Sequence, residues 1–196
     1  MLKHPSPIRA VVVGASAGAI EALRVVLPAL PANFAAPVFV VVHLPPRKPS
    51  LLCEIFSSLC PLSVREASDQ ASFGAGSVWF APPDYHMLVE SETTLALSID
   101  APEHYSRPSI DVLFESAAQV FGPSLLAVVL TGANEDGARG AQCVRENGGL
   151  VAVQSPESAQ MPLMPEAAIA RAQPQFTGSL SELTAFIVST VAGSTT

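Results

Sequence analysis

The sequence predicts an α/β fold: a doubly wound, mostly parallel sheet with helices on both faces and an inserted antiparallel hairpin region. Three observations predict it. Short continuous runs of apolar, often β-branched residues recur along the chain (Val11 to Val13, Pro37 to Val42, Leu125 to Leu130, Leu150 to Val153), as strands buried on both faces require. Between them lie stretches whose apolar residues are three and four apart, the spacing of amphipathic helices. Apolar residues make up 49% of the 196 and charged ones 14%, which fits one domain with a large interior over residues 1–196, its core from about 8 to 192.

The elements follow in order. A first strand, about Ile8 to Val13, enters Gly14-Ala15-Ser16-Ala17-Gly18-Ala19, whose small residues permit a tight strand-to-helix turn. Ile20, Leu23, Val26, Leu27 and Leu30 then repeat at helical steps, so Ser16 stands beside a helix N-terminus, where free N–H groups favour negative charge. Pro37 to Val42 is a second buried strand ending at His43, because Leu44-Pro45-Pro46 cannot continue a ladder. Pro49-Ser50 opens a helix to about Leu59, and Leu62 to Glu66 reads as a short strand.

From Ser77 the texture changes. Ser77 to Ala81, Tyr85 to Glu90 and Leu95 to Ile99, separated by Pro82-Pro83-Asp84 and Ser91-Glu92-Thr93, predict antiparallel hairpins inserted on the parallel sheet. A helix runs from Ser109, which caps it, to Gly122, with Asp111 complementing its dipole. The strand Leu125 to Leu130 leads into a polar loop, Thr131 to Gly137, then a helix that Gly148 ends. After the strand Leu150 to Val153 comes a loop from Ser155 to Pro165. A short helix at Glu166 to Arg171 follows, and Ser179 to Glu182 forms a capping box for the last helix.

Composition excludes several functions. At a net charge of −7 the ten basic residues are scattered, with Arg47-Lys48 the one adjacent pair, so the chain offers no basic stripe for nucleic acid. No apolar run reaches the ~18 residues of a membrane span. Lys3, His4 and Pro5 lead into strand-like sequence rather than a signal core, so a cytoplasmic protein without membrane insertion is expected. Cys53, Cys60 and Cys143, all in predicted helices, lack the spacing of a zinc site or disulfide framework; buried structural thiols are expected, and neither metal nor cofactor.

In doubly wound sheets ligands collect at the carboxyl ends of the strands. Ser16 follows the first strand, His43 ends the second, and Asp136 lies in the loop after Leu125 to Leu130. A hydroxyl, an imidazole and a carboxylate at one sheet edge are the parts of a nucleophile, its base and the group that orients the base. Gly14 to Gly18 matches G-x-S-x-G, but the ordinary α/β-hydrolase order fails, since several strands would have to precede this one. The dinucleotide fingerprint fails as well, and no Gly-Lys-Ser/Thr loop is present. On the residues alone an anion site at Ser16 is as defensible as a nucleophile, a helix cap is the competing structural reading, and Asp111, Asp84 and Glu135 compete with Asp136. His86 reads as a structural or rim residue, His104 and His4 as solvated.

A set of blocks in fixed order narrows this. They are Val13-Gly14-Ala15-Ser16-Ala17-Gly18, His43-Leu44-Pro45-Pro46, Ala81-Pro82-Pro83-Asp84-Tyr85-His86-Met87, Arg107 to Phe114, Leu130-Thr131-Gly132, Asp136-Gly137 and Met164-Pro165. Over nearly its full length the chain resembles the catalytic domain of the chemotaxis protein-glutamate methylesterases, the CheB type. That resemblance implies Ser16 as nucleophile, His43 as base and Asp136 as the group orienting it. It implies hydrolysis of γ-glutamyl methyl esters, with deamidation of glutamines, on the cytoplasmic helices of methylated chemoreceptors during signal adaptation. Backbone N–H groups of the Thr131 to Asn134 loop, at Gly132, Ala133 and Asn134, would hold the oxyanion, with Ala17 a further oxyanion or substrate-positioning residue.

Two departures stand out. The family commonly has Thr after the nucleophile and then a Gly pair, where this chain has Ala17 and Gly18-Ala19. Phosphoregulated members carry a receiver domain ahead of the catalytic one, whereas here the first strand starts within ten residues of Met1, so phosphorylation control in cis is not expected. A non-catalytic receptor- or anion-binding module of the same fold, and an esterase or amidase for another protein, are the competing readings.

Overall fold

The computed structural model describes residues 6–43 and 49–193. Along the chain it contains β1 (Ala10–Ala15), α1 (Ala19–Val26), β2 (Val38–Val42), α2 (Leu52–Ser57), β3 (Ser63–Glu66), β4 (Ser77–Phe80), β5 (His86–Val89) and β6 (Leu95–Ser98). There follow α3 (Ile110–Phe121), β7 (Leu125–Val129), α4 (Ala138–Glu146), β8 (Leu150–Gln154), α5 (Leu163–Ala172), β9 (Phe176–Gly178) and α6 (Leu180–Ala192).

Seven strands form one parallel sheet in the order β3-β4-β2-β1-β7-β8-β9. Successive side chains of a strand point to opposite faces, and both faces are covered. Val11, Val13 and Ala15 of β1 share a core with Leu23 of α1, Phe56 of α2 and Ile187 of α6. Ala10 and Val12 share the other with Leu113 of α3, Val144 of α4 and Ala168 of α5. The chain winds from β1 outward through β2 in one direction and from β7 through β8 in the other. The switch point therefore lies at the carboxyl ends of β1, β2 and β7, where such sheets hold ligands.

The expected architecture stands, with corrections of detail. Ser77 to Ala81 is not part of the antiparallel insertion: β4 pairs in parallel with both β2 and β3, and the antiparallel strands among the described residues are β5 and β6. That pair lies on α3, where Ser116 Oγ accepts the Val89 N–H at 3.1 Å. The short helix at Glu166 to Arg171 begins earlier, at Leu163, because proline is tolerated in a first turn and Pro165 does not stop it. Strand β9 was not expected at all. Cys60 lies past the end of α2, and the three thiols are half-buried rather than buried. Burial pushes those of Cys53 and Cys60 up to about 11, which keeps them unreactive. Leu44-Pro45-Pro46, Arg47-Lys48 and His4 lie outside the described residues.

Gly14 fixes where α3 begins. A Cβ at this position would overlap Ile110 Cγ2, so the first turn of α3 rests directly on the end of β1. Gly14→Ala is expected to force the two apart and lower the unfolding free energy by about 1–3 kcal/mol. Urea denaturation checks this, and an unchanged midpoint would show that Ile110 yields without loss.

Candidate active site

Register brings the first two residues together. Ala15 of β1 pairs with Val42 of β2, so Ser16 and His43 are the next residues on adjacent strands, and the His43 N–H donates to Ala15 O at 3.3 Å. On the other side the Ser16 N–H donates to Thr131 O at 2.9 Å, which seats Ser16 between β2 and β7. Gly18, at φ +83°, then turns the chain into α1 as its N-cap residue. Ser16 is partly exposed, and its Oγ makes no hydrogen bond among the described residues.

Asp136 is fully buried and takes four donors. Oδ2 accepts from His43 Nε2 at 2.7 Å and from the Ile110 N–H at 2.7 Å, while Oδ1 accepts from Ser109 Oγ at 2.9 Å and the Asp111 N–H at 3.0 Å. Asp136 thus closes the open N–H groups at the start of α3, although it lies in the loop before α4. Burial alone would raise its pKa, but the bond from His43 and the N–H groups of Asp111 and Ile110 outweigh it and hold the carboxyl below the ordinary range.

Because a carboxylate only accepts, the proton on His43 is assigned to Nε2, leaving Nδ1 with its lone pair. Asn134 Nδ2 lies 3.5 Å from Nδ1.

Asp111 mirrors Asp136 from the other side. It sits in the first turn of α3, yet its Oδ1 accepts the N–H groups of Gly137 (2.9 Å) and Gly140 (2.6 Å) at the start of α4. The two aspartates cap each other's helices. Burial raises the Asp111 pKa against the pull of the Gly140 N–H, the Asp136 charge adds to the rise, and Arg139 opposes it. His104, expected to be solvated, is half-exposed with Nε2 3.4 Å from Asp111 Oδ2.

His86 is buried and structural. Its Nδ1 accepts the Ser109 N–H at 3.2 Å and its Nε2 donates to Ala101 O at 3.1 Å, which holds the residue that in turn holds Asp136. Among the competing acids Glu135 is exposed and Asp111 serves α4, so the carboxylate on His43 is Asp136.

Of the residues expected to hold an oxyanion, Gly132 cannot offer its N–H, which donates to Met161 O at 3.0 Å. Its carbonyl is also taken, by the Met164 N–H at 3.0 Å. The neighbouring Thr131 is fixed by buried Gln154, whose Oε1 accepts the Thr131 N–H at 2.9 Å. Among the described residues the N–H groups of Ala17, Ala133 and Asn134 have no partner; Ala17 follows Ser16, and Ala133 and Asn134 lie in the loop that leads to Asp136. His104, Asp111 and Asp136 bring possible ligand atoms within 4.8 Å of one another. They suit a metal poorly, since Asp136 is saturated with donors and the Arg139 guanidinium lies 3.5 Å from Asp111 Oδ2.

The family model for CheB methylesterase matches residues 11–187. The chain belongs to the CheB methylesterase family. A relative from Leptospira interrogans, provisionally named protein-glutamate methylesterase/protein-glutamine glutaminase, is 42% identical over 174 residues, 89% of this chain and 90% of that protein. One from Trichodesmium erythraeum, named protein-glutamate methylesterase/protein-glutamine glutaminase, is 39% identical over 79% of this chain and 45% of its own greater length. The crystal structure of the Thermotoga maritima CheB methylesterase catalytic domain superposes with a TM-score of 0.88 at 29% identity, covering 92% of this chain and 97% of that one. The CheB catalytic-domain fold therefore accounts for the parallel sheet and the antiparallel pair together. No helix among the described residues is long and apolar enough to cross a membrane.

Proposed function

We propose that this CheB-family chain is a single catalytic unit that hydrolyses γ-glutamyl methyl esters on the cytoplasmic helices of methylated chemoreceptors. Ser16 is the nucleophile, His43 the base and Asp136 the group that orients and charges the base. The observation that carries this reading is the 2.7 Å bond from His43 Nε2 to a buried, fully donated Asp136, on the strand end beside Ser16.

The direction of that bond sets the mechanism. With Nε2–H committed to Asp136, Nδ1 receives the proton of Ser16 as Oγ attacks the ester carbonyl. The carbonyl π electrons move onto oxygen, where the free N–H groups of Ala17 and Ala133 stabilise the oxyanion. Collapse breaks the bond to methoxide, which leaves as methanol with the proton from Nδ1. Water, deprotonated by the same atom, then attacks the acyl carbon; the Oγ–C bond breaks, Oγ takes the proton back from Nδ1 and glutamate is released. A glutamine side chain enters the same sequence and loses ammonia, so deamidation needs no further residue. A soluble cytoplasmic location follows from such a substrate.

A fluorophosphonate that labels activated serines should modify one residue, Ser16, in proportion to the loss of methanol release from a methylated receptor. Peptide mass mapping checks the site. Labelling elsewhere, or full activity after complete labelling of Ser16, would remove this reading.

A further inference from the structure

We propose that Asn134 is a catalytic residue whose side-chain amide donates to the oxyanion and is held in waiting on His43 Nδ1 in the resting enzyme. This rests on Ser16 as nucleophile and adds a side-chain donor to the backbone N–H groups.

The amide orientation is fixed. The Asp136 N–H donates to Asn134 Oδ1 at 3.3 Å, and a backbone N–H can do nothing else, so Nδ2 is the end turned toward His43. His43 Nε2–H is committed to Asp136, so the atom that Nδ2 faces at 3.5 Å is the lone pair that must accept the Ser16 proton. In the resting structure the donor beside Nδ1 is therefore Asn134, while Ser16 Oγ makes no hydrogen bond among the described residues. A contact of this length is weak and readily exchanged.

Proton transfer inverts the arrangement. Once Nδ1 has taken the Ser16 proton it is itself a donor, and two N–H groups face each other. In the same step the carbonyl oxygen of the substrate, bonded to the carbon that Oγ attacks, becomes an anion. Nδ2 leaves a repelling neighbour for a charged acceptor, an interaction made only in the transition state and therefore one that raises kcat. Asn134 gives a hydrogen bond and transfers no proton.

The surroundings leave this role open to Asn134. Ala17, next to the nucleophile, carries only a methyl group, and the N–H of Gly132 is already used. Asn134 is half-buried in the loop before α4, so it can move without disturbing the core.

The test uses Asn134→Ala and Asn134→Asp in the full chain, with Ser16→Ala alongside. Asp keeps the oxygen that accepts the Asp136 N–H and loses the donor; Ala loses both. Both variants should lower kcat for methanol release about 10²-fold with KM within about threefold, as loss of one oxyanion donor does elsewhere. The affinity of a glutamyl-mimicking boronate, which forms a tetrahedral adduct on serine, should fall in parallel, while Asn134→Asp, which keeps the bond from the Asp136 N–H, melts near the wild-type temperature. If Asn134→Ala keeps its kcat, if Asn134→Asp alone restores it, or if either variant is faster, Asn134 is respectively idle, a loop support or a gate, and the proposal falls. Activity surviving in Ser16→Ala would instead remove the nucleophile assignment on which it rests.

Discussion

In Ser16→Ala, methanol release from a methylated receptor is expected to fall about 10⁴–10⁶-fold, with no change in melting temperature. The two halves of this expectation come from different parts of one residue. What Ser16 gives the fold is its backbone: the N–H to Thr131 O and the carbonyl that accepts the Ala19 N–H, both kept by alanine. The hydroxyl gives the fold nothing visible. The N-cap position of α1 belongs to Gly18, and α1 has no side-chain cap, so the reading of Ser16 as a helix cap does not hold. The rate remaining comes from substrate binding and the oxyanion donors, which alanine also leaves in place. Steady-state release at saturating receptor, with a thermal melt of the same sample, decides the matter. Activity within tenfold of wild type would show that another nucleophile acts.

How much of this was legible follows from where each signal lies. Strands β1, β2, β7 and β8 are buried on both faces, so their apolar runs are continuous and each could be read without its neighbours. Strand direction is not written locally. Ser77–Phe80 sits just before the Pro82-Pro83-Asp84 turn and looks like a hairpin arm, but its pairing is decided by β2 and β3, remote in sequence. Phe176–Gly178 is a three-residue edge strand whose partner, β8, supplies most of the reason for its existence. At the site, Ser16 and His43 were legible as strand ends. Asp136 could be named from its loop but not ranked over Asp111, because the donors that distinguish them belong to helices some 25 residues away in sequence. His86 could be read only as a structural or rim residue and Asn134 only as a backbone donor, because the bond from the Ser109 N–H to His86 spans 23 residues and the Asn134 side chain meets His43 across 91, contacts that no local pattern records.

Asp136→Asn is expected to lower kcat about 10⁴-fold and, unlike Ser16→Ala, to lower stability as well, by about 3–5 kcal/mol. Asparagine has one oxygen for four donors. If its NH₂ takes the place of Oδ2, it faces His43 Nε2 and the Ile110 N–H. The imidazole must then accept at Nε2 and carry its proton on Nδ1, so Ser16 has no base. If the NH₂ takes the place of Oδ1, Ser109 can turn its hydroxyl to accept, but the buried Asp111 N–H is orphaned and the charge that stabilises imidazolium is still gone.

The stability loss has a pH signature whose sign is fixed by the lowered pKa of Asp136. A carboxyl held below its unfolded value contributes stability that is fully present above about pH 4 and is lost as pH falls through the folded value. Asparagine lacks that contribution at every pH. The gap in urea-unfolding free energy between wild type and Asp136→Asn should therefore be widest at pH 7 and narrow below about pH 4. An equal gap at pH 7 and in acid would mean that the four donors do not stabilise the ionised form. The link between the start of α3 and the base of the site would then have to be sought in packing rather than charge.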